Sequence, residues 1–134
     1  MSTQPSQRSL ALNILTGARG ALGVIALLTP RIGARMFRID ADGPAIVMGR
    51  LFGIRNIALA AGFLRLEVTT ARRLSEPFLL FNALIDLVDA SAFMAGGRRG
   101  QIGWSATVLG TLLAFTGAAL SAAGFASLQA GGDR

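Results

Sequence analysis

The sequence predicts an all-α integral membrane protein: a single domain, residues 1–134, that forms a bundle of four transmembrane helices. The composition is too apolar for a soluble domain of this length, since 52% of the 134 residues are hydrophobic and the mean hydropathy is +0.56. Four apolar stretches also occur, each near the roughly twenty residues that cross a hydrocarbon core. They are Leu10 to Leu28, Pro44 to Leu66, Pro77 to Ala95, and Ile102 to about Leu128.

Helix-start and helix-end signals flank these spans. Asp42-Gly43-Pro44 and Ser75-Glu76-Pro77 each place a capping residue shortly before a proline, which the first turn of a helix tolerates. They predict that the second and third spans begin at these prolines. The third span is predicted to end in the Gly96-Gly97-Arg98-Arg99-Gly100 segment.

The connection after the first span has a helical pattern. Arg31, Arg35 and Arg38 recur at i, i+4 and i+7, and an apolar stripe repeats that spacing one residue later. With Thr29 as cap and Pro30 in the first turn, we expect a short interfacial helix whose arginines contact lipid headgroup phosphates. The alternative is a short polar connection with no helix.

The fourth span carries a continuous seam of small residues. Glycine recurs every seven residues from Gly103 to Gly124, and small residues between them give alternating steps of four and three. Such a seam lets another helix approach closely, and that helix could belong to this chain or to another subunit. The second span has a shorter motif of this kind, Gly49-x-x-x-Gly53. The seam consists of Gly103, Thr107, Gly110, Ala114, Gly117, Ser121 and Gly124.

Several kinds of chemistry lack their usual side chains. The chain has no cysteine, histidine or tyrosine, so disulfides, thiol catalysis, typical zinc sites, histidine-ligated haem and tyrosine nucleophiles are excluded. We therefore predict no catalytic residue, no metal and no cofactor. The formal net charge is +6, but the arginines lie mostly at the ends of apolar segments, which suits lipid headgroups better than nucleic acid.

Charged residues inside the predicted spans are the candidate functional site. A charge at the centre of a membrane helix costs at least about 2.5 kcal/mol unless it is paired or hydrated. Asn82, Asp86 and Asp89 share one face of the third span by their spacing. The candidate in-membrane cluster is Arg19, Arg50, Arg55, Asn56, Asn82, Asp86 and Asp89.

Equal depth predicts the partners within this cluster. If the second and third spans are antiparallel neighbours, residues at the same depth have a nearly constant sum of sequence numbers, which matches Arg55 with Asp86 and Arg50 with Asp89. Arg19 then remains without a partner and would need an anionic ligand, a lipid phosphate, water or another protein's carboxylate. The cluster either binds or conducts something, or it only fixes helix register.

The distribution of arginines favours neither membrane orientation. In the four-span topology, five arginines lie on the side of both termini and the second loop, and five lie on the side of the first and third loops. The positive-inside rule predicts orientation from an excess of basic residues on one side, and here the two counts are equal. Dual topology is therefore one option, and orientation by a partner complex is another.

A family resemblance rests on the second span. Arg50-x-x-Gly53-x-Arg55-Asn56 follows a short first loop with proline and basic residues, and precedes a third span with internal aspartate. This pattern resembles the DoxX-like small four-helix bacterial membrane proteins, especially actinobacterial members of unassigned activity, over residues 20 to 95. The resemblance implies a multi-pass protein of the bacterial cytoplasmic membrane with a role beside a larger complex. It transfers no catalytic residue.

These patterns leave two leading functions. The first is a non-enzymatic accessory or scaffold subunit, held against another membrane protein by the small-residue seam. The alternative is a small oligomeric transporter or a lipid- or anion-binding protein that uses the in-membrane cluster. A membrane enzyme is a third hypothesis, because two carboxylates three residues apart can act in general acid–base catalysis.

Overall fold

The chain is all-helical where its structure is described. The computed structural model describes residues 7–69 and 72–130, and these ranges contain five α-helices and no strand. The predicted all-α class is therefore confirmed. The helices are α1 Gln7–Leu28, α2 Pro30–Met36, α3 Gly43–Thr69, α4 Arg72–Arg98 and α5 Trp104–Ala130.

Three of these helices are long and apolar enough to cross a membrane. They contain the segments Gly43–Arg65, Glu76–Arg98 and Trp104–Ala126. Leu12–Leu28 of α1 qualifies together with α2, from which it is bent by 114°. The described ranges thus hold three candidate spans, or up to four if the bent pair is one span, as expected for a multi-pass membrane protein.

The predicted cap of the second span is confirmed. The Ala45 N–H donates a hydrogen bond of 2.9 Å to Asp42 Oδ1, so the aspartate satisfies one of the free amides at the start of α3. Thr29 lies at the N-cap position of α2, but its hydroxyl donates back to the Ile25 carbonyl at 2.8 Å and makes no cap hydrogen bond.

The third candidate span, Glu76–Arg98, begins within one residue of the predicted start at Pro77, but the helix that contains it begins earlier. α4 begins at Arg72 and continues through Pro77, whereas the cap signal placed the start at Pro77. Proline removes one amide donor and restricts the residue before it. Near the start of a helix that loss affects a single carbonyl in the first turns, so the helix can extend past the proline toward its N-terminus.

Two helices are followed by a residue with left-handed backbone, in each case two residues after the last helical residue. Gly100 has φ +67° after α4, where the Gln101 N–H donates to the Gly96 carbonyl at 2.9 Å. Arg38 has φ 51° after α2, where the Ile39 N–H donates to the Ala34 carbonyl at 2.9 Å. Glycine adopts this conformation freely, but an arginine is strained there.

The helices pack as two antiparallel pairs. α1 packs mainly on α3, and α4 packs mainly on α5, while the contacts between the two pairs, α1 with α5 and α3 with α4, are fewer. The α1–α3 crossing depends on glycine, because a Cβ on Gly53 would lie 2.7 Å from the Gly23 carbonyl oxygen and 2.7 Å from the Leu27 nitrogen. Close backbone contact of this kind is how helices associate in lipid.

A small apolar core joins the two pairs. Leu15 of α1, Phe63 of α3 and Leu79 of α4 are buried against one another. Phe63 and Phe78 add an edge-to-face contact with ring centroids 5.0 Å apart. This core lies toward the end of the bundle where α3 ends and α4 begins. Arg19, Asn56 and Asp86 lie on its other side, toward the first and third loops.

Candidate functional site

Polar side chains from three helices meet inside the bundle. Arg19 of α1 donates through Nη1 to Asn56 Oδ1 of α3 at 2.9 Å. Through Nη2 it donates to Asp86 Oδ2 of α4 and forms an ion pair with it. The exposed fractions are only 6%, 2% and 4% for Arg19, Asn56 and Asp86. We call these three residues the buried polar cluster.

The orientation of Asn56 is fixed by its own helix. Its Nδ2 donates to the Phe52 carbonyl at 2.9 Å, one turn earlier in α3. The amide nitrogen is therefore occupied, and the amide oxygen points to Arg19. This arrangement lets the guanidinium bridge a neutral acceptor and a charged one on two different helices.

A second ion pair lies one turn away along α4. Arg55 of α3 donates through both terminal nitrogens to Asp89, with Nη1 2.9 Å from Oδ1 and Nη2 bonded to Oδ2. Two parallel hydrogen bonds make this the stronger geometry for an arginine–carboxylate pair. Its side chains are more open than those of the first pair, with 35% and 20% exposed. The Arg55 guanidinium also lies 5.1 Å from the centre of the Phe52 ring.

The fourth helix joins through a neutral hydrogen bond. Asn82, one turn before Asp86 on α4, donates through Nδ2 to Ser121 Oγ of α5 at 2.6 Å. Both residues are fully buried. Asn82 Oδ1 and Arg19 Nε are buried without a hydrogen-bond partner in the described part of the chain. Some of the hydrogen-bonding capacity of the buried polar side chains is therefore unused.

The predicted pairing of these charges is wrong. Asp86 binds Arg19 instead of Arg55, and Asp89 binds Arg55 instead of Arg50. Arg50 is exposed on α3 and forms no ion pair with any residue in the described ranges. The depth argument assumed that α3 and α4 are close neighbours, but each packs mainly on another helix. Equal depth therefore did not identify which helix supplies the partner.

The small-residue seam of α5 faces α4 and lies inside the bundle. A Cβ on Gly110 would collide with the Phe93 ring, and a Cβ on Gly117 would lie 2.5 Å from Asp86 Oδ2. Gly124 lies against Leu12 and Leu79. Of the two predicted positions for the seam, its buried glycines take the internal one, against helices of the same chain. Ala114 and Ser121 are also buried, Thr107 packs beside Gly97, and Gly103 is exposed with open space around it.

The first-loop arginines lie at one end of the bundle. Arg31, Arg35 and Arg38 are all exposed. The predicted helix is confirmed for Arg31 and Arg35, which lie in α2, but Arg38 lies beyond its end with left-handed backbone. Phe37 stacks on Phe93 of α4 with centroids 6.1 Å apart, so the first and third loops lie at the same end. Contact of the three arginines with headgroup phosphates stays a prediction.

Sequence reasoning missed a surface groove between α4 and α5. The groove has a volume of about 440 Å³ and opens near the third loop. Its signal in the sequence was Arg98-Arg99 followed by Trp104 at the start of an apolar span, a combination typical of a membrane interface. Its walls are formed by Met94, Gly97, Arg98, Trp104, Thr107, Val108, Thr111 and Leu112.

The described site joins helices and neutralises charge. Two arginines meet two aspartates, and both ion pairs connect the α1–α3 pair to α4. The polar contacts thus supplement the sparse apolar contact between the two helix pairs. Comparison of the chain with protein-family models, curated proteins and solved structures finds no match.

Proposed function

We propose that the chain is a non-enzymatic accessory or scaffold subunit of a larger membrane assembly, and that the outer face of α3 around Arg50 is its contact with the partner. In this proposal α1, α3, α4 and α5 are the four spans of a DoxX-like protein of the bacterial cytoplasmic membrane, and α2 lies in the headgroup layer. The observation that carries the proposal is the exposure of Arg50 within a candidate membrane span.

The candidate in-membrane cluster contains three arginines and two aspartates, and Arg50 is the arginine that no aspartate neutralises. Arg19 and Arg55 are neutralised by Asp86 and Asp89 inside the bundle. The unbalanced positive charge therefore lies on the outer surface and not in the core. It is seven residues, or about 10 Å, beyond the first residue of α3. An arginine at that depth costs a few kcal/mol unless a counter-charge or water reaches it.

The surroundings of Arg50 form an apolar stripe. Val47 and Ile54 lie three residues before it and four residues after it, and both are more than half exposed, as is Leu51. An apolar helix face with a single charge can pack on a partner helix that offers one carboxylate. That charge would select the partner and its register.

The residues that carry the sequence resemblance to DoxX-like proteins lie on the same helix. Of the residues that carry it, Gly53 contacts α1 closely, Arg55 pairs with Asp89, and Asn56 binds Arg19. The motif thus coincides with the places where α3 meets its neighbours. Arg50, the remaining charged residue of the motif, forms no ion pair in the described ranges. It is therefore available for a contact with another protein.

Site-specific photo-cross-linking in native membranes tests this proposal. A photoreactive residue at Val47, Leu51 or Ile54 should give one adduct of defined mass with a different membrane protein. The same residue at Leu84 or Val88, which are similarly exposed on α4, is the matched control and should give little adduct. Arg50→Leu should abolish the α3 adduct while the protein still inserts. Adducts that form only with lipid would refute the accessory role.

A second candidate is the small oligomeric transporter or anion-binding protein. The observation in its favour is the incompletely satisfied polar interior, with Arg19 Nε and Asn82 Oδ1 lacking partners in the described ranges. Chloride efflux from vesicles that contain the protein provides a test. The double variant Arg19→Leu/Asp86→Leu should keep the fold but lose the flux. Adducts between two copies of the chain in the cross-linking experiment would also favour this candidate.

A further inference from the structure

We propose that the groove between α4 and α5 binds an anionic phospholipid, with its phosphate at Arg98 and Arg99 and one acyl chain against Met94, Val108 and Leu112. This site is separate from the internal ion pairs and from the α3 face proposed for a protein partner. Its volume of about 440 Å³ lies within the range of ordinary ligand pockets.

The direction of the groove matches that of a lipid. α4 runs toward the third loop at Arg98, and α5 runs away from that loop after Trp104. The mouth of the groove is therefore at the loop end, and its walls extend from Trp104 to Leu112 along α5. Eight residues of helix correspond to a length of about 12 Å. A lipid held with its headgroup at the loop would place its acyl chain along these walls.

The two ends of the groove differ in chemistry. Arg98 and Trp104 line the groove at the loop end, and Trp104 is 81% exposed. Tryptophan and arginine are the residues that favour the boundary between headgroups and hydrocarbon. Met94, Val108 and Leu112 offer apolar surface farther from the loop. Thr111 also lines the groove, and its hydroxyl is buried without a hydrogen-bond partner in the described part of the chain. Thr107 is satisfied within its own helix, since its hydroxyl donates to the Gly103 carbonyl at 3.1 Å.

Charge complementarity selects an anionic headgroup. Arg98 and Arg99 form no ion pair with any residue in the described ranges. The stacking of Phe37 on Phe93 brings the first loop to the same end, where five arginines stand against Asp40 and Asp42, a balance of 5 − 2 = +3. An anionic lipid offsets this charge, whereas a zwitterionic lipid brings a cation of its own.

Trp104 reports directly on this site because it is the only tryptophan of the chain. The full protein is reconstituted in vesicles of phosphatidylcholine with a minor fraction of phosphatidylglycerol. In parallel samples, the same mole fraction of either lipid carries bromine on its acyl chains. We expect the brominated phosphatidylglycerol to quench Trp104 emission several-fold more strongly. Equal quenching by the two lipids overturns the proposal.

Three variants separate the groove from general surface charge. Arg98→Gln should lower the preference for phosphatidylglycerol about fivefold. Arg35→Gln removes the same charge from α2 at the same end and should leave the preference nearly intact. An equal loss in both variants means diffuse attraction and overturns the site. Val108→Phe fills the groove without changing charge and should abolish the preference. Retention of the full preference in that variant also overturns the proposal.

Discussion

Arg19 and Asp86 form an ion pair that connects α1 to α4 across the interior of the bundle. The two residues are 67 positions apart in sequence, and both are almost completely buried. In hydrocarbon the alternative to pairing is an unpaired charge, so the pair fixes the relative depth of the two helices. Asn56 connects the same arginine to α3, so three helices depend on one guanidinium.

The two ion pairs differ in burial, and we expect their loss to differ in cost. Asp86→Ala leaves the Arg19 charge buried and should lower the free energy of unfolding by about 3 to 5 kcal/mol. Asp89→Ala affects the more exposed Arg55 and should cost about 1 to 2 kcal/mol. Denaturation in detergent micelles measures both values. The reverse order would contradict this account.

A double variant tests whether the cost of Asp86→Ala comes from the stranded charge. Arg19→Met/Asp86→Leu removes both charges and keeps an apolar volume. We expect it to recover most of the stability that Asp86→Ala loses, because replacing a buried ion pair by packed apolar residues is often nearly neutral. A double variant as unstable as the single one would mean that the ion pair itself stabilises the bundle.

Asn56 should contribute through its hydrogen bond to the arginine. Asn56→Leu keeps the side-chain size but leaves Arg19 Nη1 without its acceptor, at a cost of about 1.5 to 3 kcal/mol. Asn13→Leu is the matched control, because Asn13 is exposed on α1 and its replacement should not destabilise the fold. The same denaturation measurement compares the two. Equal small effects would show that Arg19 does not need the amide.

The sequence predicted the elements of this fold better than the contacts between them. The spacing of apolar residues predicted helical spans, and the repeat of small residues predicted which face of α5 packs. The partners of Arg19 and Arg50 could not be obtained in this way. Depth follows from position along a helix, but the neighbour across the bundle depends on packing of all four long helices. A long arginine side chain also reaches across a full turn, which weakens any one-to-one match of depth.

The glycine pair on α3 offers a test of close packing within one motif. Gly53→Ala would place a methyl group 2.7 Å from backbone atoms of α1, which cannot move independently of that helix. We expect a loss of about 2 to 3 kcal/mol in the free energy of unfolding. Gly49→Ala is the control, since its Cβ would lie 3.6 Å from the Pro30 Cβ, an ordinary contact. Similar losses for both variants would show that the crossing is not limited by space at Gly53.

The last prediction joins the seam of α5 to the buried polar cluster. A Cβ on Gly117 would lie 2.5 Å from Asp86 Oδ2 and 2.9 Å from its Cγ. A free carboxylate could turn aside, but this one is bound by Arg19. Gly117→Ala must therefore either break the ion pair or push α5 away from α4. We expect it to lower the free energy of unfolding by about 1 to 3 kcal/mol.

Combining this substitution with others distinguishes the two responses. In the Arg19→Met/Asp86→Leu background a bulkier apolar side chain faces Gly117, so a purely steric cost of Gly117→Ala should persist or increase. A cost that comes from the broken ion pair should fall. We expect this fall, because the three atoms nearest to the added Cβ all belong to the Asp86 carboxylate, which Arg19 holds in place. Gly17→Ala in α1 is the control for helix propensity, since no atom lies within 4 Å of its added Cβ and alanine favours a helix by up to about 1 kcal/mol over glycine. Undiminished destabilisation in the charge-free background would assign the role of Gly117 to helix packing alone.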